Sequence, residues 1–173
     1  METIRVLGID PSLRNSGMGI VEYNTETEKF SVDSCLLLTN PQSYKGTEAI
    51  LNMLDMMHEA AEENECFRKV DAICVESPAI LFNKNFSGGA LISVAHVTGG
   101  AAAIFDLEKT HLFRPGDWNK SRKKEVTHRK TVGTLGDPDS WHYLKRVKTQ
   151  NGIEHILDAV SMALFYIRLQ VDE

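Results

Sequence analysis

The sequence predicts an α/β fold: a five-stranded mixed sheet, its first three strands an antiparallel meander, with helices on both faces. Three observations carry this. The N-terminal part holds three strand-like runs joined by short polar links, the pattern of consecutive hairpins. Two further short strands, Val70–Val75 and Thr110–Phe113, alternate with stretches long enough for helices. The chain closes on a segment with a strong amphipathic stripe.

Element by element, Ile4–Ile9 (IRVLGI) is a short apolar run with β-branched residues, suited to a buried strand. Asp10-Pro11-Ser12 ends it with turn chemistry. Gly17–Tyr23 alternates as a second strand, and Asn24-Thr25 permits a hairpin into a third, Phe30–Leu38. Thr47–Asn64 has helical spacing through Ile50, Leu54, Met57 and Ala61, with Thr47 as its cap. Val70–Val75 is the fourth strand and ends at Glu76; Pro78 forbids a central strand beyond it. Ser87–Leu107 is small and apolar, long enough for a helix, and its glycines permit close approach of another helix. Thr110–Phe113 is the fifth strand. Pro115 precedes a basic helical segment, Trp118–Leu135. Gly136–Gly152 lacks sustained periodicity and reads as a long functional or mobile loop. Ile153–Leu169 carries Ile156, Leu157, Val160, Ala163, Leu164 and Ile167 at helical intervals.

With 173 residues the chain is expected to form one domain, residues 1–173. Hydrophobic residues make up 42% and charged residues 25%, which excludes a disordered, collagenous or low-complexity chain. No apolar run approaches the ~20 residues of a membrane span, so no membrane partner is expected. METIRVLGID lacks the features of a signal peptide. Cys35, Cys66 and Cys74 are an odd set at no metal-binding spacing and read as reduced thiols. A cytoplasmic protein, or one of an organellar matrix or nucleoid, is the expectation. Net charge is −5, but Lys109–Gln150 holds 11 Lys+Arg against 4 Asp+Glu, a local +7 on a body of −12. Such asymmetry suits one face that meets a polyanion, or else a solvated charged helix.

Two acids stand where strands end: Asp10 after VLGI and Glu76 after AICV. Ligands of open α/β sheets lie at such strand ends. Asp158 sits beside the apolar stripe of the last helix, and His155, three residues before it, shares its face. Taken singly, Asp10 fits a turn former, Glu76 a solvated strand end, His155 a capped or surface histidine and Asp158 a rim charge. Taken together, clustered carboxylates repel unless cations or protons compensate them, and hard divalent cations such as Mg²⁺, or Mn²⁺, are the usual compensation.

Three blocks carry a family resemblance. Gly8–Gly19 (GIDPSLRNSGMG) resembles the first strand and turn of RuvC-like Holliday junction resolvases, members of the ribonuclease H-like superfamily. Ala72–Glu76 (AICVE) resembles their second acidic strand, and His155–Ala163 (HILDAVSMA) their closing acidic helix. The Phe82-Asn83-Lys84-Asn85 loop, the small-residue helix after it, and the basic stretch with Trp118 and Lys124 are similar too. The chain departs from many relatives in having His155 where they carry Asp.

The resemblance implies a ribonuclease H-like fold and a metal-dependent endonuclease resolving four-way DNA junctions. Two Mg²⁺ or Mn²⁺ ions about 3.5–4 Å apart would be held in each active site. Asp10 would bridge them, Glu76 would hold one, and His155 and Asp158 the other, unless His155 orients or deprotonates the attacking water. Lys124 would stand near the scissile phosphate. Lys120, Arg122, Lys123, Lys124, Arg129 and Lys130 would grip phosphates, with Lys145, Arg146 and Lys148 extending the track. In the loop after Glu76, Lys84 and Asn85 would contact the nucleic acid, and Phe82 and Phe86 would stack on unpaired bases or else pack in the core. Cutting opposing strands implies a homodimer, with Ser87–Leu107 as the interface. Other readings are a nuclease of the same fold acting on flaps, forks or structured RNA, and a non-catalytic junction-binding protein. An actin-like or sugar-kinase ATPase needs a second lobe for which the chain has no room.

Overall fold

A computed structural model describes residues 3–78, 88–120, 123–144 and 150–171, without the side chains of residues 150 and 151. Strands β1 (Thr3–Asp10), β2 (Asn15–Asn24) and β3 (Lys29–Thr39) form the antiparallel meander. β4 (Ala72–Glu76) and β5 (Thr110–Phe113) extend the sheet in parallel from the other side of β1. The order is β3-β2-β1-β4-β5, the mixed five-stranded sheet that the sequence predicts. Helices α1 (Gly46–Glu63) and α2 (Gly88–Phe105) cover one face; α3 (Pro115–Asn119), α4 (Lys124–Leu135) and α5 (Gln150–Val171) lie on the other.

The strand period of two sorts side chains between these layers. Leu7, Ile9, Met18, Ile20, Ile73 and Val75 pack with Met53, Met57, Val97 and Phe105 of α1 and α2. Val6, Val21, Ala72 and Cys74 pack with Ile156, Val160, Ala163 and Ile167 of α5. Both faces of β1 are therefore buried, which is why it reads as an unbroken apolar run rather than an alternation. By the same alternation, Gly8 and Asp10 fall on the α5 side.

That side is bare where α5 crosses it. Gly8 pairs with Gly19, and Asp10 with Gly17. A Cβ on Gly8 would fall 1.9 Å from the Ala159 carbonyl oxygen, and one on Gly17 would fall 2.2 Å from the His155 carbonyl. A Cβ on Gly19 would meet Val160 Cγ1 at 2.4 Å. The α5 backbone thus rests directly on β1 and β2.

Four details differ from the sequence reading. The basic segment is two helices, not one. Lys120 closes α3 with φ 52°, a left-handed conformation that costs a non-glycine residue about 1–2 kcal/mol, and α4 starts afresh at Lys124. α1 begins at Gly46 with Lys45 at its N-cap and no side-chain cap, so Thr47 lies inside the helix. The stretch after Gly136 is anchored as far as Leu144. Pro138–Ser140 forms a 3₁₀ turn, Trp141 is buried and donates its indole N–H to the Leu135 carbonyl at 3.2 Å, and Tyr143 bridges to Cys35. Two aromatics, buried Trp141 and half-buried Tyr143, do there what periodicity would have done elsewhere. Finally, α2 is as long and apolar as a membrane-crossing helix, nearer to that length than the sequence reading allowed because Gly and Ala extend its apolar run. It packs on α1 and β4, yet only five of its 18 residues are buried.

Gly8→Ala is expected to lower stability by about 3 kcal/mol, because the clash is with backbone and cannot be relieved by a rotamer. Gly133→Ala, where a Cβ meets nothing within 4 Å in exposed α4, is expected to raise it by about 0.5–1 kcal/mol. Denaturant melts of the two variants beside the parent check both signs.

Candidate active site

β1 and β4 run parallel with Ile9 opposite Val75, so the next residues, Asp10 and Glu76, leave the sheet side by side at its C-terminal edge. α5, seated on the glycines, brings His155 and Asp158 over the same edge. His155 Nδ1 lies 2.6 Å from Asp10 Oδ2. Asp158 is only 2% exposed. It is held from α4 by the Lys124 ammonium on Oδ2 and by His128 Nε2, 2.8 Å from Oδ1. Glu76 accepts the Trp118 indole N–H at 3.1 Å from α3, while its backbone carbonyl accepts the Thr98 hydroxyl of α2 at 3.3 Å. Thus the three acids and His155 come together, with Lys124 among them.

The charges of these groups are interdependent. Burial pushes the Asp10 carboxyl above its ordinary range, against the opposing hydrogen bond and charge of His155. Burial, with the neighbouring Asp10 and Asp158 charges, pushes Glu76 up to about 8. Burial would also raise Asp158, but hydrogen bonds from His128 and Lys124 outweigh it and hold that carboxyl low. The hydrogen bond to Asp10 raises the His155 imidazole. Burial would lower Lys124, but the hydrogen bond to Asp158 and the three carboxylate charges together raise it. The site is an anionic cluster short of positive charge, relieved on Asp158 and strained on Glu76.

Three carboxylates and one imidazole make an oxygen-rich donor set that fits a hard divalent cation. Among the described residues no three His, Cys, Asp or Glu side chains stand as a ready ligand shell. Each acid is engaged by a protein donor instead. His128 and Trp118 are partners that the sequence reading did not assign. His128 follows Lys124 by four residues and so shares its face on α4, but its contact with Asp158 shows only in the packing of α4 on α5.

The basic residues divide. Lys123 is the exposed N-cap of α4, and Arg129 and Lys130 are exposed along it. Lys120 closes α3. Arg122, Lys145, Arg146 and Lys148 lie outside the described residues, as do Phe82, Lys84, Asn85 and Phe86. Cys35 and Cys74 are buried free thiols, both pushed up by burial, Cys35 to about 12. Cys66 is free and partly exposed.

A mixed sheet of this order, covered by helices on both faces, is a ribonuclease H-like fold. Within that class the chain has the fold of RuvC-type resolvases, and the resemblance read from its sequence holds in the comparisons. It superposes on Thermus thermophilus RuvC in complex with a Holliday junction substrate with a TM-score of 0.67 at 18% identity, over 96% of each chain. The yeast mitochondrial Holliday junction resolvase Ydc2 aligns with a TM-score of 0.56 at 12% identity, over 97% of this chain and 81% of that one. At such identities the likeness is one of fold. In sequence, the chain is 41% identical over 71 residues to the crossover junction endodeoxyribonuclease RuvC of Bartonella quintana, covering 36% of this chain and 41% of that protein. It is 26% identical over 112 residues to the RuvC of Campylobacter hominis, covering 61% and 66%. The chain therefore spans less than two thirds of either relative. No family model matches the chain.

The raised Glu76 carboxyl gives stability a definite slope. A carboxyl whose folded value lies above its unfolded one favours the fold when protonated, so its contribution is complete below about pH 4 and is lost as pH rises through about 8. In chelator, Glu76→Gln is expected to stabilise the protein relative to wild type at pH 8.5, by on the order of 2 kcal/mol, with the difference vanishing toward pH 4. Thermal melts across that range check it; a gap that widens toward low pH would contradict the assigned direction.

Proposed function

We propose that the protein is a divalent-metal-dependent endodeoxyribonuclease that resolves four-way DNA junctions. The observation that carries this reading is the meeting of Asp10, Glu76, His155 and Asp158 at one edge of a RuvC-type sheet, from three separate sequence blocks. Asp10, Glu76, Asp158 and His155 would hold Mg²⁺ or Mn²⁺, as two ions per site. When bound, the ions would supply an activated water and charge stabilisation at the scissile phosphate. Asp10 orients the His155 ring through Nδ1, and that ring is either a ligand or a group that orients the water. Lys124, more than half exposed, offers an ammonium to the phosphate as well as to Asp158. Lys120, Lys123, Arg129 and Lys130 grip the backbone and give affinity that falls with salt.

Resolution needs two sites in fixed relation, so the protein acts as a homodimer through the exposed N-terminal half of α2, where Ile92 is 59% exposed. Its place is the compartment holding that DNA, the cytoplasm or an organellar nucleoid.

Cleavage of four-way, three-way, flap and linear substrates, with and without Mg²⁺ or Mn²⁺, tests the assignment. Preference for the four-way junction supports it; preference for flaps or forks moves the protein to another branched substrate. Junction binding without cutting in either metal makes it a binding protein only. Asp10→Asn should abolish cleavage, by about a thousandfold or more, and keep or improve junction binding, since an anion facing phosphate is removed. Lys124→Ala should slow cleavage. His155→Asp should retain metal-dependent activity with a changed pH profile or metal preference. Ile92→Glu should convert a dimer to a monomer by light scattering.

A further inference from the structure

A cavity of about 510 Å³ lies between α3, α4 and α5, within the size range of sites for small ligands. Trp118, whose indole N–H holds Glu76, forms part of its wall. Lys120, Lys130 and Arg168 line it, and among the described residues no carboxylate does. Arg168 is held in place by the Thr134 hydroxyl at 2.9 Å and lies over the Phe30 ring. Phe165, half-buried and edge-to-face with Phe113 at 5.6 Å between ring centroids, is also part of the lining.

Three cations sharing a cavity without an acid repel one another, and an anion relieves them. An aromatic side chain in the same lining adds a place for a planar group. Cation and ring together match a nucleotide, with phosphate on the lysines and arginine and base against Phe165. Lys120 supports a role for the side chains: glycine adopts its left-handed backbone freely, yet a lysine stands there. The cavity is also framed by the helices that frame the acids. α4 meets α5 through Lys124 and His128 on Asp158, then Thr131 on Ser161 at 2.7 Å, then Thr134 on Arg168. Arg168 is thus about 15 Å along α5 from Asp158.

We propose that this cavity is a nucleotide subsite, which holds one phosphate-bearing nucleotide of the substrate strand away from the position of cleavage. The inference rests on the reading of the protein as a nuclease for branched DNA. It goes beyond a basic track in that the bound group enters a cavity rather than touching a surface.

Asp10→Asn protein leaves DNA uncut and serves as the parent for binding. Anisotropy with a labelled four-way junction is measured for this parent and for versions that add Lys130→Ala, Arg168→Ala, Arg168→Lys, Thr127→Tyr or, on α1's approach, Lys45→Ala. Circular dichroism melts accompany each. Lys130→Ala and Arg168→Ala should weaken binding about fivefold and lower the salt slope by about 1. Arg168→Lys should restore the slope. Thr127→Tyr, which fills the cavity and leaves every charge in place, should weaken binding to a similar extent with the slope unchanged. Lys45→Ala should change nothing. Trp118 is one of two tryptophans, so a 5′-phosphorylated trideoxynucleotide should quench fluorescence, and Thr127→Tyr should abolish the quench. Junction binding by folded Thr127→Tyr equal to the parent would overturn the proposal. So would a mononucleotide quenching as well as the trinucleotide while the charge variants bind junctions normally, which would mark a free-nucleotide site. Wild type that cuts none of the branched substrates sinks the nuclease reading instead, and these titrations on uncut DNA still report on the cavity.

Discussion

The structure depends on a helix lying against strands that have no side chains where it crosses them. Gly8, Gly17 and Gly19 clear the face of β1 and β2, and the Ala159 and His155 backbone fills the space. The consequence is positional. Asp10 is two residues beyond Gly8 on the same face and opposite Gly17 in register. A helix that approaches this closely delivers His155 within 2.6 Å of its carboxylate. With ordinary side chains between them, layers of sheet and helix would stand farther apart, and the acid on the strand and the two groups on the helix would face a gap. Close packing here is therefore part of the chemistry, since it sets the reach of every group in the cluster.

Concentrating acids has an electrostatic cost, and the surrounding elements meet it unequally. Asp158, almost wholly buried, receives two donors from α4 and stays ionised. Glu76 receives one neutral donor, the Trp118 indole, which does not offset burial and two neighbouring anions. The asymmetry follows from where the helices lie. α4 packs along α5 and so reaches the acid that α5 carries, whereas short α3 offers β4 a ring N–H.

Much of this was legible in the sequence because it follows from local rules. Runs such as IRVLGI and AICVE can be read as buried strands, and the closing helix by its stripe, which places the two acids at strand ends and His155 and Asp158 on one helix face. What escaped depended on distant partners. His128 looks like any polar helix residue until α4 is seen to begin at Lys124 and to lie on Asp158. The glycines of GIDPSLRNSGMG could be matched to a family pattern, but their physical reason, the backbone of a helix some 140 residues later, has no trace in their own neighbourhood. The split of the basic segment escaped because lysine gives no sign of a left-handed turn. The anchoring after Gly136 escaped because two aromatics, Trp141 and Tyr143, carry it without any period.

The edges of the sheet have a consequence of their own. A β-sheet with free borders invites strands from other molecules to add to it. On one side, Cys35 of β3 exchanges backbone hydrogen bonds with the segment around Tyr143, through the His142 carbonyl at 2.8 Å and the Leu144 N–H at 2.9 Å. That segment covers part of the border. On the other side β5 is only four residues long, too short a template for extended pairing. Aggregation by strand addition is discouraged at both ends, so the protein can reach high local concentration without its copies zipping together.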